Sequence, residues 1–110
     1  MKLLVFVLNR VEKLAPVLKK LEYAGYGGAT VLTSRGMGAI LSKYFGGSLL
    51  GSLYTMLDPD QEESKTVFMV LKEEDISKVV ALIETEVGSL EAPNSGIAFA
   101  VPIDFVKGIL

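Results

Sequence analysis

The chain opens on Leu3-Leu4-Val5-Phe6-Val7-Leu8, an unbroken apolar run of strand length. It predicts a strand covered on both faces or central in a sheet. Asn9 to Lys13 is mostly polar and reads as a turn. Leu14, Val17, Leu18 and Leu21 then recur at the spacing of an amphipathic helix. Pro16 sits in its first turn, where a missing N–H is tolerated, and Gly25 is placed to end it. After Gly27-Gly28, the segment Ala29-Thr30-Val31-Leu32-Thr33-Ser34-Arg35 is rich in β-branched residues and predicts a second strand, broken by Gly36-Met37-Gly38. A third strand is expected at about 65–71. Glu73, Glu74 and Asp75 place negative charge where a helix N-terminus favours it, and Ile76, Val79, Val80 and Ile83 supply the second helical stripe, ending near Gly88. Asn94-Ser95-Gly96 is a turn signal, Ile97 to Val101 a fourth strand, and 102–109 a short helical turn or an irregular tail.

The order is βαββαβ. It predicts an α+β, ferredoxin-like sandwich over 1–110 as a single domain: a four-stranded antiparallel sheet with two helices on one face. Two helices leave the other face bare. Strands this apolar then predict packing against further copies of the chain.

Composition narrows the chemistry. Half of the 110 residues are hydrophobic and 22% are charged, as in a packed globular chain. There is no cysteine and no histidine, which removes disulfides, thiolate chemistry, the usual zinc ligand sets and the commonest general base. The net charge is −2 and the only arginines are Arg10 and Arg35, so no basic stripe marks a nucleic-acid partner. The N-terminal apolar run is short, lacks a small-residue cleavage site and meets Asn9-Arg10 at once. It reads as a strand and not a signal peptide, so a cytoplasmic protein is expected.

Two segments carry a family likeness. Thr30 to Gly38 resembles the second strand and loop entry of P-II signal-transduction proteins, a Thr-Val run ending in Gly-x-Gly. Asn94 to Asp104 resembles their final strand, a glycine turn followed by Phe99, Val101 and Pro102-Ile103-Asp104. The likeness spans about the whole chain. It implies a cytoplasmic homotrimer that is not an enzyme, with inter-subunit clefts binding an adenine nucleotide. It also implies a T-loop at about 39–64 contacting a protein target, a membrane transporter among the candidates. Carried over by position, Thr30 would meet the adenine, Gly36, Met37 and Gly38 would form the T-loop base, and Val70 an apolar wall. Asn94, Ser95 and Gly96 would be the turn against the phosphates, a small backbone anion nest.

The departures shift the expected ligand. Ile97 stands where the family's phosphate-gripping lysine follows the turn glycine, and the tail Lys107-Gly108-Ile109-Leu110 lacks the family's Arg-x-Arg. Each charge-assisted hydrogen bond so lost is worth about 1.5–3 kcal/mol. The expected effector therefore moves from ATP toward AMP, ADP or a small anion.

The segment 39–57 is far more apolar than a solvated loop. Ile40, Leu41, Tyr44 and Phe45 share one helical face, Leu49, Leu50, Leu53 and Leu57 another, and Gly46-Gly47 is a hinge. Tyr44, Phe45, Leu49, Leu50, Leu53 and Tyr54 are the expected partner-docking residues; packing on the protein's own oligomer core is the equal alternative. The acidic run Asp58-Pro59-Asp60-Gln61-Glu62-Glu63 reads as a solvated loop, without the spacing of a calcium loop. Two other functional classes compete: a trimeric divalent-metal-binding protein of the same topology, and an enzyme of that fold.

Overall fold

The computed structural model describes residues 1–44, 63–93 and 95–108. The elements are β1 (Lys2–Leu8), α1 (Leu14–Tyr23), β2 (Thr30–Ser34), α2 (Met37–Tyr44), β3 (Ser64–Leu71), α3 (Ile76–Val87) and β4 (Gly96–Pro102), with 3-10 turns at Val11–Lys13 and Glu73–Asp75 leading into α1 and α3. The four strands form one antiparallel sheet in the order β2-β3-β1-β4. That is the ferredoxin-like arrangement. The predicted strands and the two main helices are all present. β2 ends before Gly36-Met37-Gly38 as expected, and helix α2 starts there and runs straight through Gly38.

Alternation along β1 sorts the residues by face. Leu4, Phe6 and Leu8 are fully buried against Val17 and Leu21 of α1 and Val79, Ile83 and Val87 of α3. The register places Val67 opposite Phe6 and Met69 opposite Leu4, so β3 extends the same core. Phe6 is the largest of the fully buried side chains. Between the helices, Lys20 donates to Thr85 Oγ1 at 3.0 Å and pairs with Glu86 at 2.9 Å.

Gly25 ends α1 as expected. Its φ is +95°, the Gly25 N–H donates to Glu22 O at 3.0 Å, and the Tyr26 N–H reaches back to Leu21 O at 2.8 Å. This is a Schellman cap, and it turns Tyr26 onto the core. Tyr26 donates its hydroxyl to Asp75 at 3.3 Å, tying the end of α1 to the entry of α3. Partial burial first, and the Asp75 carboxylate second, raise the phenol above its ordinary value of 10.0.

The opposite sheet face carries the odd residues of β1 with Phe68 and Val70 of β3 and Ile97, Phe99 and Val101 of β4. No helix of the described residues covers it. Val5 is nevertheless only 8% exposed, because Phe68 and Phe99 flank it across the ladder, whereas Phe99 is 48% exposed. Every sheet residue on this face is uncharged. Its end near β2 is polar: Ser34 Oγ lies 2.8 Å from both Ser64 Oγ and Thr66 Oγ1. After Pro102 the chain is irregular through Gly108, the second of the two forms the sequence allowed.

Candidate effector cleft

The strand register locates each residue of the expected site. Call the end of the sheet holding Leu8, Ser34, Ser64 and Gly96 its upper end. β2 runs up to Ser34, so Arg35, Gly36, Met37 and Gly38 lie at the upper end of the β2 edge. β4 starts at the upper end, so Ser95 and Gly96 lie there too, at the opposite edge. The two half-sites are three strand spacings apart, about 14 Å. Within one chain they do not meet.

Thr30 is exposed on β2, opposite Phe68 and toward the bare face. Val70 points to that face as well, but it sits six residues down β3 from Ser64, about 20 Å from the upper end. The fold therefore groups Gly36, Met37 and Gly38 and leaves Val70 outside that group. Met37 is 76% exposed.

The glycines divide by cause. At Gly36 a Cβ would meet nothing within 4 Å, and the backbone does not take a positive φ. Its carbonyl accepts the Ile40 N–H at 3.1 Å, opening α2. The fold does not require glycine at this position. Gly96 is the opposite case: with φ at +134°, a Cβ would lie 2.0 Å from the Val7 carbonyl oxygen. This glycine is set by the close approach of β4 to β1, which accounts for it without a ligand. Ser95 is buried and its N–H already donates to Ala92 O at 3.4 Å, so that amide is not free for an anion nest. Asn94 lies outside the described residues.

The expected docking segment can be placed only at its margins. Tyr44 closes α2, and Phe45, Leu49, Leu50, Leu53 and Tyr54 lie outside the described residues. Of the expected T-loop at about 39–64, residues 39–44 fall in α2 and Ser64 in β3.

A groove of about 370 Å³ runs between α3 and β4, floored by Leu4, Ala98 and Ala100 and walled by Ile76, Val80 and Leu90. Glu84 and Glu91 line it as well. Glu84 Oε2 accepts the Leu90 N–H at 2.9 Å, fixing the loop after α3. The only sequence signal was the small residues Ala98 and Ala100 on the core side of β4, where larger side chains would have filled the space.

Among the described residues no group of three acidic side chains could hold a metal ion, and no helix is long and apolar enough to cross a membrane. No protein-family model matches the chain, and no curated protein matches it.

Proposed function

We propose that the chain is a P-II-like regulatory sensor that binds a small effector between subunits and acts on a protein target. The observation that carries this reading is the placement of the two half-sites. The segment 36–38, where α2 begins, and the turn 95–96 lie at the same end of the sheet but on opposite edges, so a cleft containing both forms only between copies. A ring of copies, a trimer in this reading, also covers the uncharged face of Phe68, Phe99 and Val101. Gly36 supports the same reading, since the fold leaves its missing side chain unexplained. Removing it costs nothing locally and allows a ligand close to the backbone.

The effector is an adenine nucleotide or a small anion, and AMP and ADP fit better than ATP because Ile97 offers no charge to a third phosphate. The target contacts the segment between α2 and β3.

The test is a thermal-shift series with AMP, ADP, ATP and bicarbonate, run beside light scattering on a sizing column. A ligand that favours the native assembly raises Tm by mass action. A trimer whose Tm rises with a nucleotide and falls back in Gly36→Val supports the reading. A monomer, or no shift with any of the four, refutes it.

A further inference from the structure

The proposed assembly needs two sheet edges to meet, and the chain offers two that suit each other. The Ile103 N–H donates to Met1 O at 3.3 Å, so Met1 and Ile103 form a hydrogen-bonded pair of the β1–β4 ladder. Such pairs alternate along antiparallel strands. Val101, Phe99 and Ile97 therefore bond inward to β1, and the backbone groups of Ala98 and Ala100 face outward. Neither edge strand, β2 or β4, has a second partner among the described residues. Pro102 falls at an outward position, so its missing N–H costs the β1 ladder nothing and closes the lower end of the edge to further pairing.

Directions agree as well. β2 runs up the sheet and β4 runs down it, so copies placed side by side with their upper ends together bring these edges into antiparallel contact. Such a contact is head-to-tail, the kind that builds a ring when the rotation between copies closes and a filament when it does not.

Charge then selects the partner. The groove beside β4 carries Glu84 and Glu91 near the upper end, and neither has a cationic partner among the described residues. In β2, Val31 packs toward the core side, alternation puts Thr33 on that same side, and Arg35 follows one residue beyond the strand's upper end at Ser34. Arg35 is exposed and likewise has no carboxylate partner among the described residues. Lys65, the neighbouring cation, is already held by Thr33 at 2.9 Å and Glu63 at 3.4 Å.

We infer that Arg35 of one copy docks in the Glu84–Glu91 end of the α3/β4 groove of the next, with β2 adding to the free edge of β4. This rests on the effector-sensor reading for its assembly, and it sharpens that reading. Arg35 directly precedes Gly36-Met37-Gly38, so the pair that joins two copies also fixes the start of α2 that lines the cleft.

The experiment is sedimentation of the full chain over a concentration series, with circular dichroism to verify folding. Arg35→Glu is expected to weaken assembly tenfold or more, and Arg35→Glu combined with Glu91→Arg to restore it. Glu84→Gln keeps an acceptor for the Leu90 N–H and is expected to weaken assembly less. Raising salt weakens the wild-type assembly toward that of Arg35→Glu. A monomeric wild type, unchanged assembly in folded Arg35→Glu, or no rescue by the reversed pair would each overturn the inference. ADP thermal shifts on the same samples separate the two ideas. Assembly through Arg35 without any shift sinks the sensor reading alone, and a shift on an assembly indifferent to Arg35 sinks this one alone.

Discussion

Replacing Gly96 by alanine puts a methyl carbon 2.0 Å from the Val7 carbonyl oxygen and 3.2 Å from its carbon. Backbone at φ +134° is nearly closed to residues with a side chain, and holding one there costs about 1–3 kcal/mol. The contact adds to that. Both atoms are tied to the ladder, so β4 must open from β1 by about 1 Å at this end to bring the distance past 3.0 Å. That movement loosens the Val7–Ile97 pair, whose bonds are worth about 0.5–1.5 kcal/mol each. The expected loss is about 3–5 kcal/mol, a large part of the ~5–15 kcal/mol that holds a typical domain. Tm should fall by at least about 12 °C, at about 4–8 °C per kcal/mol for a domain near this size. Two controls isolate the cause. Gly25 has a positive φ but open space, so Gly25→Ala should cost only about 1–2 kcal/mol of backbone strain. Gly36→Ala should be neutral or stabilise by about 0.4–1 kcal/mol, through a less flexible unfolded chain. The assay is urea denaturation followed by circular dichroism at fixed protein concentration. If Gly96→Ala lies within 1 kcal/mol of the wild type, or Gly36→Ala is as damaging as Gly96→Ala, the reasoning from Cβ space and φ fails.

Other measurements reach other parts of the molecule. Phe6→Ala, at the centre of the core with no exposure, should destabilise by about 3–5 kcal/mol in the same assay. Ile83→Val should cost about 0.5–1.5 kcal/mol by removing one methylene from a fully buried helix position. Phenol absorbance should show Tyr26 ionising above 10.0, and Asp75→Asn should lower its midpoint while leaving the contribution from burial. Because the folded chain holds that proton more tightly than the unfolded chain, the stabilisation is complete below the unfolded value. It is lost as pH rises from about 10 through the raised folded value. Tyr26→Phe should flatten that alkaline decline. Phe99→Lys on the bare face should leave the monomer folded and lower its assembly in light scattering, since it sets a charge on an apolar interface.

Much of this molecule was written in its hydrophobic periods. The run Leu3–Leu8 read as a strand covered on both faces or central in a sheet, and it is central, with the stripes through Val17 and Val79 packed on one face of it. These are local signals, because each element must hide its apolar side, and the βαββαβ order then leaves few topologies. Gly25 was legible for the same reason: a helix end needs one residue of positive φ. The helical spacing of Ile40, Leu41 and Tyr44 pointed to α2, but its start was harder to see, since Gly36-Met37-Gly38 carries the signature of a break and the bond from Ile40 to Gly36 shows that the helix begins there. Glycine alone does not tell a required conformation from a required space. Gly36 and Gly96 look alike in the sequence; tertiary structure separates them, because the Val7 carbonyl that excludes a side chain at Gly96 lies on another strand. The same holds for the site. Sequence could group Thr30, Gly36–38 and 94–96 by likeness, but distance along a chain does not fix which sheet edge a residue occupies. The strand order did that. It put the two halves on opposite edges at one end, brought Glu84 and Glu91 onto the groove beside β4, and left Arg35 exposed beside the other edge.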